Sequence, residues 1–204
     1  MYTGYEIQFT GSLTLDRPLL PQHFAYLNRF VQIRHVTCSV EYLQDVPDPL
    51  REAVGLPLGP EGAYFVGINF DKENIRQPIV LKINKPPQAQ PYLWCHWRLD
   101  PDGLTLKYVD AWNLYRCHTW LQYLMDHFLT PWGYLLNGET HWQGEDEADR
   151  GRIIVQESAI EIRLEQRDER KQLACVWMRR MARYMWVLSH NEALINPSSS
   201  ITMY

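Results

Sequence analysis

The chain has 204 residues, 46% of them hydrophobic and 22% charged, which is typical of one globular domain with a sizeable core. Its formal net charge of -4 excludes binding of nucleic acid or anionic lipid through overall charge, so any such contact would be local. No apolar run is long enough to predict a membrane-spanning helix. Because the first residues lack the basic and apolar regions of a signal peptide, we expect a cytoplasmic protein.

The beginning of the chain predicts two strands around one helix. Residues 5–15 alternate between polar and apolar types, which predicts a first strand. A helix is predicted over 21–32, where apolar residues recur every three to four positions after a proline. A second strand is predicted over 34–43. The residues expected on the buried faces of the first strand and the helix are Ile7, Phe9, Leu13, Leu15, Phe24, Leu27, Phe30 and Val31.

The next segment predicts short elements. A helix of one to two turns is expected over 48–55, with Asp48 as its cap, a proline at its first position and Gly55 at its end. Short strands are predicted over 64–67 and 79–83, and a proline-rich run follows them.

A hairpin is predicted next, because 93–99 and 104–109 flank the turn sequence Asp-Pro-Asp-Gly. Trp94 and Trp97 are expected on opposite faces of its first strand.

The middle of the chain predicts a helix followed by a meander. Asn113 can cap a helix whose apolar stripe consists of Cys117, Leu121, Leu124 and Phe128. A strand over 134–142, a polar turn over 144–151 and return strands over 152–156 and 159–164 follow. Trp142 should be largely buried within this sheet.

These elements predict an α+β fold: a mostly antiparallel sheet with two helices packed on one face, plus a C-terminal amphipathic helix. We expect one domain over 1–164, the C-terminal helix over 165–190 and a disordered tail over 191–204. Because the chain contains neither GxGxxG nor GxxxxGK[ST], doubly wound nucleotide-binding folds are disfavoured.

Six segments of the chain form a recognisable set: Asp48–Ala53, Leu93–Cys95, Pro131–Tyr134, Asn137–Glu139, Trp142–Asp146 and Gly151–Ile153. Through them the chain resembles, over roughly residues 5–164, a set of small uncharacterised bacterial and phage-type proteins. The resemblance implies a bacterial or phage source and an α+β fold, and it implies no activity and no functional residue.

The dipeptides Cys95-His96 and Cys117-His118 could supply ligands to zinc or form a Cys/His nucleophile. Adjacent residues of a strand point to opposite faces, and neither cysteine has the ligand spacing of a structural zinc site. We therefore expect buried, reduced thiols, no bound metal and no cofactor.

Acidic residues are concentrated around the predicted turn of the meander. Such a cluster could hold Ca²⁺ or Mg²⁺ or act in acid/base chemistry, but it lacks the residue order of an EF-hand. A solvated turn is the simpler interpretation. The cluster comprises Glu139, Glu145, Asp146, Glu147 and Asp149.

The C-terminal helix predicted over 165–190 is basic and amphipathic. Trp177 belongs to an apolar stripe that spans under about 90° of the helical wheel, and Arg179 and Arg183 lie opposite the stripe. Packing against the domain is one interpretation. The alternatives are docking of a protein partner, of RNA or of an anionic membrane surface.

Together these patterns favour a non-catalytic bacterial or phage accessory protein that binds another macromolecule, most plausibly a protein. The binding candidates are Trp177, Arg179, Arg183, Glu139, Glu145 and Asp146. One alternative is a metal-dependent or Cys/His hydrolase that gathers His96, His118 or His141 with the acidic turn, which requires these side chains to converge in a pocket. A second alternative is single-stranded nucleic-acid binding through exposed aromatic side chains bordered by basic ones.

Overall fold

The computed structural model describes residues 6–71, 74–109, 114–146 and 149–165, all within the first of the chain's two units, Met1–Glu165. The strands are β1 (Ile7–Leu15), β2 (Thr37–Cys38), β3 (Val80–Lys82), β4 (Trp97–Leu99), β5 (Thr105–Tyr108), β6 (Leu136–Gly144), β7 (Arg150–Gln156) and β8 (Ala159–Leu164). The helices are α1 (Pro21–Phe30), α2 (Val40–Leu43), α3 (Pro49–Ala53) and α4 (Leu114–Leu124), which continues as a π-helical turn over Met125–Leu129. A 3-10 turn covers Pro60–Gly62.

The main sheet has six antiparallel strands in the order β4-β5-β1-β6-β7-β8. β1 pairs along its whole length with β6, from Ile7 opposite Gly144 to Leu15 opposite Leu136. Its end also pairs with β5, where Leu13 lies opposite Leu106. The predicted α+β class and antiparallel sheet are therefore confirmed.

The core lies on one face of this sheet. Side chains at alternate positions of the strands point to this face and are buried together with α1 and α4 in a single apolar cluster. Trp142 is 3% exposed, so the expected burial of this residue is confirmed. The strand residues on the core face include Ile7, Leu13, Leu15, Leu136, Trp142, Ile153 and Val155.

The predicted stripe of α4 is confirmed as an internal surface. Its cysteine, its two leucines and the following Phe128 are fully buried. The helix ends before the turn at Pro131, as expected, while the predicted cap Asn113 lies outside the described residues.

The short helix α3 begins as its sequence predicts. The Asp48 side chain accepts a hydrogen bond from the backbone N–H of Arg51 at 3.4 Å, and a proline follows it. The same carboxylate accepts a second bond from the N–H of Val66 at 2.9 Å. Asp48 thus joins the start of the helix to a distant segment.

Two predicted strands were wrong. Of 34–43, only Thr37–Cys38 pairs, with β3, and the end of the segment is the helix α2. The run 64–67 forms turns, in which Tyr64 N–H donates to the carbonyl of Leu58 and Asp48 accepts from Val66. In the second run Phe65 and Val66 are buried, and the backbone N–H groups of Tyr64 and Val66 are satisfied by a turn carbonyl and a side chain instead of a ladder.

The hairpin between β4 and β5 is confirmed, with a first strand shorter than predicted. His96 has a positive φ of 61°, which interrupts the extended backbone before β4. Trp97 is fully buried and donates its indole N–H to the carbonyl of Cys117 at 2.8 Å. Trp94 lies before the strand and is 38% exposed.

Within the described part of the chain, no helix is long and apolar enough to cross a membrane. The predicted C-terminal helix, apart from Glu165, and the predicted tail lie outside the described residues.

Candidate functional site

The edge strand β8 presents apolar side chains that the core only partly covers. It pairs with β7 through the register Ile153 opposite Ile162 and Gly151 opposite Leu164. Because opposed residues of a ladder share a face, Ile160, Ile162 and Leu164 continue the core face of the sheet. Ile162 is 45% exposed and Leu164 is 42% exposed. The apolar face of the sheet therefore extends beyond its cover at this edge.

Among the described strands, none pairs with the outer edge of β8. The N–H of Glu165 donates to the carbonyl of Arg150 at 3.0 Å, and these residues continue the β7–β8 register. In an antiparallel ladder, every second residue of a strand is hydrogen-bonded to a given neighbour. Counting back from Glu165, Arg163 and Glu161 therefore turn their backbone groups toward β7. Ile160, Ile162 and Leu164 turn theirs away from it. No hydrogen bond within the described residues reaches these outward groups.

The opposite face of β8 is charged. Arg163 donates from Nε and Nη2 to the two carboxylate oxygens of Glu161, at 2.7 and 2.9 Å. The hydrogen bond from Arg163 lowers the pKa of Glu161, and the same bond raises the pKa of Arg163. β8 is therefore an amphipathic strand, with apolar residues toward the core side and an ion pair toward solvent.

The charges of neighbouring strands continue this face. Arg152 Nη1 lies 3.6 Å from Glu139 and its Nε lies 3.5 Å from Glu165, which are ion-pair distances. His141 Nε2 lies 2.9 Å from Glu139. The predicted binding residue Glu139 is thus one member of a charged surface whose members compensate each other.

The other edge of the main sheet is protected. β4 has only three residues. Its alternate residues form hydrogen bonds to β5, so the backbone groups of Trp97 and Leu99 point outward, away from β5. The guanidinium of Arg98 donates to the carbonyl of Trp97 at 2.8 Å and to that of Val31 at 2.6 Å. A short strand with a charged group on its edge is a common protection against further pairing. Such a group is not found on the outer edge of β8 within the described residues.

The other predicted acidic residues have local contacts. Glu145 accepts a hydrogen bond from the N–H of Glu6 at 3.0 Å, which ties the turn to the start of β1. The carbonyl of Asp146 accepts from Gln143 Nε2 at 3.1 Å and from the N–H of Asp149 at 2.8 Å. These contacts organise the turn. Trp177, Arg179 and Arg183, the remaining predicted binding residues, lie outside the described residues.

Of the residues of the hydrolase alternative, the structure brings His141 to Glu139 at 2.9 Å, while the three histidines lie on different segments. His118 lies on α4, which covers the core face of the sheet, whereas His141 lies on the opposite face. His96 precedes β4 at the far edge. Among the residues that the structure describes, no group of three or more His, Cys, Asp or Glu side chains could hold a metal ion.

The described thiols are buried and unreactive in character. Burial raises the pKa of Cys38 and of Cys95 to about 12, and Cys117 is fully buried. Because the thiolate is the nucleophile and the metal ligand, a raised pKa disfavours both roles.

An open depression of about 390 Å³ lies between β6 and β7. Glu139 is its only titratable lining residue, and this carboxylate is already paired with His141 and Arg152. The depression therefore lacks the convergent groups of a catalytic site. Its lining residues are Asn137, Gly138, Glu139, Ile154, Val155 and Gln156.

The structure also assembles two histidine–tyrosine pairs that the sequence patterns did not indicate. His23 Nδ1 lies 3.0 Å from the hydroxyl of Tyr134, and its ring stacks on Trp132 at 4.2 Å. His127 Nδ1 lies 2.8 Å from the hydroxyl of Tyr64. Desolvation lowers the pKa of both imidazoles. No local spacing could have found these pairs, because their partners come from distant segments.

No protein-family model, no curated protein and no solved structure matches the chain. The chemistry of its own surfaces is therefore the basis for assigning a function.

Proposed function

We propose that the protein binds another polypeptide by strand addition along the outer edge of β8. The observation that carries this proposal is the combination of outward backbone groups at Ile160, Ile162 and Leu164 with the exposed apolar side chains of Ile162 and Leu164. In strand addition, main-chain hydrogen bonds supply affinity and alternate side chains supply specificity. β8 offers both on one element.

The edge also defines the partner's chemistry. An added strand would place every second side chain beside Ile162 and Leu164, where apolar residues are favoured. The intervening side chains would lie beside Glu161 and Arg163, where charges of either sign find a counterpart. We therefore expect a partner segment with alternating apolar and charged residues.

This proposal makes the predicted protein-binding role specific and assigns it to the sheet edge. A bacterial or phage setting and a cytoplasmic location belong to the proposal as expectations from the sequence. The predicted contacts of Trp177, Arg179 and Arg183 remain a separate sequence-based hypothesis. His141 contacts Glu139, but no group of three or more His, Cys, Asp or Glu side chains in the described part of the chain could hold a metal ion, so the metal-dependent form of the hydrolase alternative gains no support.

The test uses extended peptides selected from a displayed library against the immobilised full-length chain at low density. We expect Ile162→Lys to weaken binding of the selected peptide by about tenfold or more, because a charge would enter the apolar row. Ile83→Lys is the matched control. Ile83 has the same side chain at 48% exposure and lies outside the six-stranded sheet, so this change should leave binding intact.

Peptide chemistry separates strand addition from simple apolar contact. N-methylation of alternate peptide amides should abolish binding, while N-methylation of the intervening amides should spare it, because only every second amide of a strand faces β8. If N-methylation weakened binding equally at all positions, or if the Ile162→Lys variant bound the peptide as tightly as the wild type, the proposal would be contradicted.

A further inference from the structure

Resting on the proposed function, we infer that the strand added to β8 is β8 of a second copy of this chain. The two strands run antiparallel about a two-fold axis at Ile162, and the main sheet continues across the axis. Such an interface is isologous, so the strand must be complementary to itself.

The backbone allows this pairing. The residues with outward backbone groups are Ile160, Ile162 and Leu164. With the axis at Ile162, this residue lies opposite Ile162 of the partner subunit, and Ile160 lies opposite Leu164 of the partner subunit. Each hydrogen-bonded pair of the new ladder then joins two residues whose backbone groups point outward. In each pair, both residues donate an N–H and accept through a carbonyl.

The charges select this register from its neighbours. Moving the axis to Glu161 would place that residue opposite Glu161 of the partner subunit, and moving it to Arg163 would bring two arginines together. Like charges directly opposite each other destabilise a ladder. With the axis at Ile162, Glu161 lies opposite Arg163 of the partner subunit, and Arg163 lies opposite Glu161 of the partner subunit. The two glutamates and two arginines then lie together on the solvent face, and their charges cancel.

The apolar face is complementary to itself in the same register. Ile162 remains 45% exposed and Leu164 remains 42% exposed, and the pairing would place branched aliphatic side chains beside each of them. β8 also lacks proline and bulges, two of the devices that keep an edge from pairing. The protected edge at β4 leaves β8 as the edge available for this contact.

The experiment measures the mass of the full chain by sedimentation over a range of concentrations. We expect a dimer that dissociates on dilution. Glu161→Arg and Arg163→Glu should each raise the dimer dissociation constant by about tenfold or more, because each change places like charges opposite each other. An equimolar mixture of the two variants should recover dimer formation, since every charge then faces its opposite.

Thermal melts of each variant establish that it folds, and Ile83→Lys is again the control that should leave dimer formation unchanged. A monomer at all concentrations would overturn the second-copy partner while leaving the peptide-binding proposal open to its own test. A dimer that survives Ile162→Lys would overturn the use of this edge. A dimer that Ile162→Lys disrupts and charge reversal leaves intact would overturn the register.

Discussion

At the scale of single residues, the core contains a polar group that favours one protonation state. His35 is 4% exposed, its ring lies 4.5 Å from that of Phe30 and 5.0 Å from that of Trp120, and its Nε2 has no hydrogen-bond partner within the described residues. Desolvation lowers the pKa of His35 to about 3, against a smaller opposing effect of a backbone hydrogen bond to Phe30. The folded protein therefore holds this ring neutral.

The burial of His35 predicts acid sensitivity. The unfolded chain protonates this histidine below about pH 6.5, whereas the folded protein does not until about pH 3, so the unfolded state binds more protons between these values. The free energy of unfolding should fall as pH decreases through this window. Between pH 7 and pH 5 the contribution of His35 is about 2 kcal/mol.

Urea unfolding of the wild type and His35→Leu at both pH values measures this difference. We expect the variant to lose about 2 kcal/mol less than the wild type over this interval. His23 and His127 are present in both proteins and cancel in the comparison. Equal losses would show that His35 does not govern the pH dependence.

Because the described cysteines are buried, we expect them not to react with thiol reagents in the folded protein. Cys38, Cys95 and Cys117 are buried, and the first two have raised pKa values. In a Cys175→Ser background, a chromogenic disulfide reagent at pH 8 should react with none of them in the folded protein and with all three after unfolding. Rapid modification of any thiol under native conditions would contradict the described core.

At the scale of elements, the sheet depends on close contact between neighbouring strands. Gly151 lies between Trp142 on β6 and Leu164 on β8 in the ladder. A Cβ atom at this position would overlap the Trp142 ring and the carbonyl of Arg163. The absence of a side chain therefore allows the indole to cover β7 next to the open edge.

This packing predicts that Gly151→Ala lowers the free energy of unfolding by about 1–3 kcal/mol, the usual cost of overpacking a filled core. Denaturant titration measures the change. The matched comparison is the same substitution in a Trp142→Leu background, where it should cost less because the ring is gone. An identical cost in both backgrounds would exclude the indole as the cause.

At the scale of the whole molecule, one side of the sheet is apolar and covered by helices, and the other is charged. The core cluster unites α1, α4 and the inward side chains of the strands, while Glu139, Arg152 and Arg163 lie on the opposite face. Folding of this unit therefore rests on apolar burial and backbone pairing.

We accordingly predict that metal removal leaves the fold intact. Elemental analysis of protein purified without chelator should find no stoichiometric zinc, and a chelator should leave the thermal transition unchanged. Cys95 and Cys117 lack the ligand spacing that a zinc site requires, and both are buried. One zinc per chain would overturn this prediction.

Local patterns predicted the elements whose causes are local. The cap at Asp48 and the stripe of α4 each depend on residues within a few positions of one another, and both are confirmed. Residues 34–43 and 64–67 are predicted as strands, and a short apolar run such as 64–66 does not distinguish a ladder from a buried turn. Only the partner of each backbone group, such as Asp48 for Val66, decides between them.

The candidate site was predicted less completely than the fold. Residues 159–164 were predicted as a strand, and their alternation places the ion pair and the aliphatic residues on opposite faces. Their position at an edge was not predicted, because strand order is a property of pairings between distant segments. Glu139 is predicted as part of an acidic turn with Arg152 as a local partner; the structure places it on β6, where it contacts Arg152 and His141.

The sequence by itself determined the α+β class, the antiparallel meander and the buried faces, because side-chain periodicity and turn chemistry act over a few residues. The tertiary structure alone decided that β1 lies between β5 and β6 and that β8 ends the described sheet. It also decided that His35 is buried and that His23 and His127 contact tyrosine hydroxyls. These features depend on hydrogen bonds and packing between segments far apart in the chain, which no local pattern encodes.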